Sequence, residues 1–107
     1  MNGVELISAE RQRQIDVEGW TPEHDAEHIF GQLSEAAVCY AHYTWQRTAY
    51  PDSPELSPES FTSQPGRLWP WDPKWWKPSE DPIRNLVKAG ALIASEIDRL
   101  QRAKENK

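Results

Sequence analysis

Four of the chain's six tryptophans stand within ten residues, Trp69-Pro70-Trp71-Asp72-Pro73-Lys74-Trp75-Trp76-Lys77-Pro78. Indoles in such number serve one of two ends. They bury a large apolar area in a small core, or they form a wall on which a planar ligand stacks, at about 1–3 kcal/mol per stacked nucleobase. The prolines hold the rings against a surface, and Lys74 and Lys77 add cations beside them. Arg67 and Arg84 are further cations for phosphate groups. Trp71, Trp75, Trp76, Lys77 and Arg84 are therefore candidate ligand-binding residues. Within the run, Trp69 and Trp71 are expected to lean toward the core. Trp75 and Trp76, between the two lysines, are expected to lean toward a ligand.

A second constellation lies upstream in Trp20-Thr21-Pro22-Glu23-His24-Asp25-Ala26-Glu27-His28. His24 and His28 are one helical turn apart and share a face. With Asp25 or Glu27 they could hold a divalent metal, and His42 is a more distant third ligand. The plainer reading is a capped helix start with solvated acids. The free N–H groups at Pro22–His24 could also receive an anion. Arg13 belongs to a charged run, Glu10-Arg11-Arg13-Glu18, which usually means a solvated helix face. It could instead point at the pocket of Trp20 and pair with a ligand phosphate or with Asp25. Arg13, Trp20, His24 and Asp25 join the candidate binding set on these grounds.

Other chemistries find little footing. Cys39, the single cysteine, precludes an intramolecular disulfide framework and a cysteine-based zinc site. It falls beside an apolar stripe, as a buried small side chain would. No Ser-His-Asp arrangement and no glycine-rich phosphate loop is present, so no catalytic residue and no cofactor is expected. A metal-dependent nucleotide pyrophosphohydrolase remains as an alternative, with Glu23, Glu27 and Glu35 facing Glu96 or Asp98 across Mg²⁺. A net charge of -5 argues against bulk binding to nucleic acid or to anionic lipid. No apolar run reaches the roughly 18 residues of a membrane span, and the polar start carries no signal-peptide core. A cytoplasmic protein is the expectation.

These residues need positioning elements, and helices supply them. Residues 4–18 read as a first helix on Val4, Ile7, Ile15 and Val17, with Asn2 or Ser8 as its cap and Gly19 as its terminator. Thr21 and Pro22 read as N-cap and first residue of a second helix running to Arg47, with Ile29, Leu33, Ala36, Ala37, Tyr40 and Thr44 or Trp45 as its stripe. Gly31 is its weak point, or a place where another backbone comes close. Residues 50–78 hold seven of the nine prolines, which excludes regular helix there. Their first part, 51–66, reads as a mobile loop. Pro82 to Ala103 is a third helix, capped by Ser79 or Asp81, with a wide apolar face. Gly90-Ala91 suggests close packing against another helix. The fold class is all-α: one domain over 1–107, three helices, and a long Pro/Trp-rich loop between the second and third. With 37% hydrophobic residues the core is lean, and a second copy of the chain sharing it would offset this.

The segments Glu10-Arg11-x-Arg13-Gln14-Ile15-x-x-Glu18-Gly19-Trp20-Thr21-Pro22-Glu23-His24-Asp25, Trp69-Pro70-Trp71…Trp75-Trp76-Lys77-Pro78 and Leu86-Val87-Lys88-Ala89-Gly90-Ala91-Leu92-Ile93 resemble a family of small tailed-phage and prophage proteins. That resemblance implies a viral origin and a host-cytoplasmic site of action. Arg13…Glu18-Gly19-Trp20…Asp25…His28 is also similar to the ryanodine-receptor repeat domain, though Thr21-Pro22 stands where Tyr-Gly is usual there. Some members of that family bind adenine nucleotides between aromatic side chains, which would make Trp20 and the later tryptophans the walls. The expected function is capture of a nucleotide-type small molecule, such as an ADP-ribose derivative or a cyclic nucleotide immune signal, in an aromatic pocket that counters host defence. A protein–protein interaction module docking its tryptophans on a host enzyme is the other alternative.

Overall fold

The computed structural model describes residues 1–52 and 69–105. Among them the chain is all-α. Helix α1 spans Gly3–Asp16, a single turn α2 spans Pro22–Asp25, α3 spans Gln32–Ala49 and α4 spans Pro82–Glu105, with a 3-10 turn at Pro73–Trp75. The expectation of a mobile loop over 51–66 falls outside the described residues but for Pro51 and Asp52, and so does Arg67.

Helix α1 begins at Asn2, where side chains and backbone cap each other. The Glu5 N–H donates to Asn2 Oδ1 at 2.9 Å, and the Asn2 N–H donates back to Glu5 Oε1 at 3.0 Å. Past its end, Gly19 takes a left-handed φ of 75°. The Trp20 N–H then returns to the Gln14 carbonyl at 2.9 Å, which folds Trp20 back against the helix.

The single helix expected from Pro22 to Arg47 is in fact two elements, separated by residues 26–31. Thr21 and Pro22 start it as their types suggest, with Thr21 Oγ1 accepting from the His24 N–H at 3.3 Å. After one turn Asp25 is drawn into a buried pair with Arg11 Nη2 at 2.9 Å. Arg11 also donates to the Trp20 carbonyl at 3.0 Å, so one guanidinium ties α2 and its approach to α1. Gly31, at a φ of 78°, then lets the chain turn into α3. Nothing lies within 4 Å of where a Gly31 side chain would begin, so this glycine serves the turn and not a close approach. Periodicity misses the break because Ile29 falls on the stripe by spacing alone. The structure leaves Ile29 and Phe30 exposed in the turn and starts the core at Leu33.

Helix α4 is the spine. Asp81 Oδ1 accepts from the Ile83 N–H at 2.9 Å and Ser79 Oγ accepts from the Asp81 N–H at 3.1 Å, so both expected caps take part. Helix α3 lies antiparallel to α4, with Ser34 beside Glu96 and Tyr40 beside Lys88. Helix α1 is antiparallel as well, with Ile7 on Gly90 and Glu10 on Arg84. A Cβ on Gly90 would sit 2.5 Å from Ile7 Cδ1, so the close packing read from Gly90-Ala91 is real and α1 is the neighbour. The inward face of α4 departs from expectation. It is built of small and polar residues, with Asn85, Ala89, Leu92, Ser95 and Glu96 buried. Much of the apolar face read from the sequence, Ile83, Leu86, Ile93, Ile97 and Leu100, is half exposed.

Candidate functional site

Residues 69–78 cross the open side of α3 and close the core. Trp76 packs its ring 4.7 Å from Tyr40 and 5.9 Å from Tyr43, and Trp69 sits 5.0 Å from Trp76. Both are buried, at 7% and 8% exposure. Trp69 Nε1–H donates to the Asp72 carbonyl at 3.1 Å, which bends the run back on itself. Asp72 accepts the Lys74 N–H at 3.0 Å and so caps the 3-10 turn that begins at Pro73. That turn carries Trp75 outward.

The tryptophans therefore divide differently from the expected order. Trp69 is core and Trp75 is wall, as their neighbours suggested. Trp71 and Trp76 exchange places. Trp76 is buried among the α3 tyrosines, because its own backbone follows the turn inward. Trp71 stands edge-on to Trp69 at 5.4 Å and faces Trp20 at 6.4 Å and His28 at 5.3 Å.

Trp20, Trp71 and Trp75 together border two adjoining spaces. The larger is a cleft of about 450 Å³, lined also by Glu18, His24, His28, Leu33, Trp69 and Asp72. Its volume is in the range of small-molecule sites. The smaller, of about 60 Å³, has a charged floor of Glu10, Arg13, Gln14, Lys77 and Lys88, with Tyr40 and Leu92 behind.

The floor is a hydrogen-bonded ion network. Glu10, 3% exposed, accepts from Arg13 at 2.8 and 3.0 Å, from Arg84 at 2.6 Å and from Gln14 Nε2 at 3.1 Å. Burial raises the pKa of its carboxyl, but the hydrogen bonds from Arg13 and Arg84 outweigh this and hold it below 4.5. Arg13 also reaches Glu18 at 3.1 Å. Among the side chains that line this space, the three cations Arg13, Lys77 and Lys88 exceed the two acids Glu10 and Glu18 by one, and Arg84 pairs with Glu10 from outside it. Lys88 Nζ donates to the Lys77 carbonyl at 2.8 Å and lies 5.4 Å over the Tyr40 ring. Burial and the nearby Arg84 depress its pKa. Lys74 and Lys77 hold their ammonium groups 5.3 and 5.6 Å from the Trp75 ring. Gln14 Oε1 is buried beside this floor and has no hydrogen-bond partner among the described residues.

At the far end of the cleft the His24 and His28 rings meet edge to face at 4.9 Å. Burial, then the proximity of His24, pushes the His28 pKa below 6.5, so at neutral pH it presents an uncharged ring to Trp71. Among the described residues no group of three or more His, Cys, Asp or Glu side chains converges to hold a metal ion. Glu96 is instead committed to Arg99 at 2.5 Å and to the Ser34 hydroxyl at 3.3 Å. The carboxylate set of the pyrophosphohydrolase alternative is thus not assembled. Cys39 is fully buried, and burial pushes its thiol up to about 11.

Of the nine candidate residues, Trp20, Trp71 and Trp75 border both spaces, His24 the cleft, and Arg13 and Lys77 the charged floor. Asp25, Trp76 and Arg84 border neither. Asp25 is 1% exposed and takes Arg11, not Arg13, as its partner. Arg13 turns to Glu10 because both lie on one face of α1, three positions apart. Sequence reasoning passed over Glu10, Gln14 and Lys88. Their i, i+3, i+4 spacing could have grouped Glu10 with Arg13 and Gln14. Nothing local marks Lys88, which reaches the site only because α4 runs beneath the tryptophan run.

Comparison with family models, with curated proteins and with solved structures gives no match. No helix among the described residues is long and apolar enough to cross a membrane.

Proposed function

We propose that this chain captures a planar, anionic, nucleotide-type small molecule, holding it intact. The observation that carries this reading is the pairing of an indole-walled cleft with an excess of cations at its inner edge. Trp20, Trp71 and Trp75 offer π-faces that accept any nucleobase, each stack contributing about 1–3 kcal/mol. The cleft rim at Glu18 and Asp72 is acidic and repels phosphate, whereas Lys77 and Lys88 beside the floor attract it. A bound nucleotide accordingly lies with its base among the tryptophans and its phosphate toward the two lysines. Resemblance to phage proteins extends the proposal: the ligand is a nucleotide signal of host defence, and capture in the host cytoplasm silences it.

The test is direct. Purified protein is incubated with mononucleotides, cyclic dinucleotides and ADP-ribose derivatives, freed of unbound ligand, heated, and the released material chromatographed. Intact recovery of one class supports capture. Retention of none of them refutes it, and recovery of a hydrolysed product transfers the site to an enzyme.

A further inference from the structure

We infer that the outer face of α4 is the contact surface of a homodimer, in which the α4 helices of two copies pair antiparallel. Ile83, Leu86, Gly90, Ile93, Ile97 and Leu100 follow one another at steps of three and four, the a/d spacing of helices that interlock side by side. The five large side chains in this series are 61%, 50%, 48%, 51% and 53% exposed. They run along about 26 Å of helix, at about 1.5 Å per residue. This seam lies on the side of α4 away from Lys88 and Leu92, so pairing through it leaves the cleft open.

Two neighbouring strips widen the surface. Helix α1 is antiparallel to α4, with Glu10 at Arg84 and Ile7 at Gly90. Val4, one turn back on the face of Ile7 and 78% exposed, thus lies toward the Ile97 end. On α3, Ser34 touches Glu96, and the same flank carries Val38 and Trp45, 51% and 55% exposed. Monomers rarely expose contiguous apolar patches beyond a few hundred Å². The seam alone exposes on the order of 500 Å², and with its flanks it approaches the roughly 800 Å² per partner of a stable interface.

Charge selects the second copy and the orientation. Glu80 and Asp81 lead into α4, and Lys104 lies in its last turn on the seam's side, while Arg102 turns to the Pro22 carbonyl and Glu105 ends the helix. Antiparallel pairing places Glu80 and Asp81 of one copy near Lys104 of the other and opposes the two helix dipoles. Parallel pairing would put like charges together. In the antiparallel register Ile83 meets the partner's Leu100, Leu86 meets the partner's Ile97, and Ile93 comes beside the partner's Gly90 where Ile7 covers it. Gly90 and its plug Ile7 then sit next to the two-fold axis.

Sedimentation of the full chain at roughly tens of micromolar is expected to give twice the chain mass. A monomer there overturns the proposal. Ile93→Lys and Ile97→Glu, at exposed positions, are expected to halve the mass while circular dichroism keeps its helical signal. A dimer that survives both changes places the interface elsewhere. Orientation is read by oxidation. Leu86→Cys chains mixed with Ile97→Cys chains are expected to cross-link to each other, and Leu86→Cys alone is not. Self-linking of Leu86→Cys would make the pairing parallel and overturn the register.

Discussion

Two pairs of tryptophans, drawn from one run of ten residues, do opposite work. Trp69 and Trp76 are plugs, Trp71 and Trp75 are walls. The plugs rest on aromatic carbon, the rings of Tyr40 and Tyr43. The walls border a space whose floor is charged, with Glu10 and Arg13 in it and Arg84 bonded to Glu10 behind. The alternation comes from backbone geometry. The 3-10 turn over Pro73–Trp75 sends Trp75 outward and returns Trp76 inward, so adjacent residues of the same type separate by burial. Flanking charge misleads here. Lys74 and Lys77 both lie against the face of Trp75, while the buried Trp76 packs on Tyr40 and Tyr43.

The largest expected effect falls on a plug. Trp76→Ala should cost about 3–5 kcal/mol, the usual loss for emptying a core site of this size. Denaturant unfolding measures it, and a loss below about 1 kcal/mol would erase the distinction between plug and wall.

Next comes the footing of the walls. Glu10→Gln weakens the hydrogen bonds from Arg13 and Arg84, an expected loss of about 1–3 kcal/mol at neutral pH. The same carboxyl has a folded pKa below its ordinary 4.5. Its stabilisation is therefore fully present above the unfolded value and is lost as pH falls through the folded one. Thermal melts across acid pH should show this fall in the parent chain and a shallower one in Glu10→Gln. Equal acid limbs in the two chains would detach the walls from this network.

The smallest stability effect belongs to a wall. Trp75→Ala, at a half-exposed position, should shift stability by no more than about 0.5 kcal/mol. Retention of a nucleotide ligand, measured by calorimetry, should nonetheless weaken by about 1–3 kcal/mol. The two substitutions then form a contrast. One damages folding most, the other binding alone.

Much of the architecture could be read along the chain. Asn2, Thr21-Pro22, Ser79 and Asp81 marked three helix starts, since capping is a local hydrogen-bond question settled within a few residues. Gly90 announced a close helix crossing, and Ile7 fills it. The break between α2 and α3 could not be read in that way. It depends on Arg11 reaching Asp25, fourteen positions away, and local periodicity has no knowledge of that pair. The site was half legible. Trp20, Trp71 and Trp75 border it as proposed candidates, while Asp25, Trp76 and Arg84 are spent on internal contacts. Glu10 and Gln14 were within reach of helical spacing, whereas Lys88 came into view only when α1 and α4 were seen side by side.

By itself, then, the sequence determined the helical class, the helix starts and the presence of a stiff aromatic run. These follow from backbone propensity, capping and proline stereochemistry, which act over one or two turns. The tertiary structure alone decided which indoles face inward, which arginine meets which acid, and which face of α4 is left bare. Those outcomes depend on where α1 and α3 touch α4. A side chain's partner is set by that geometry, because burial and pairing are properties of a place in the fold and not of a position in the chain.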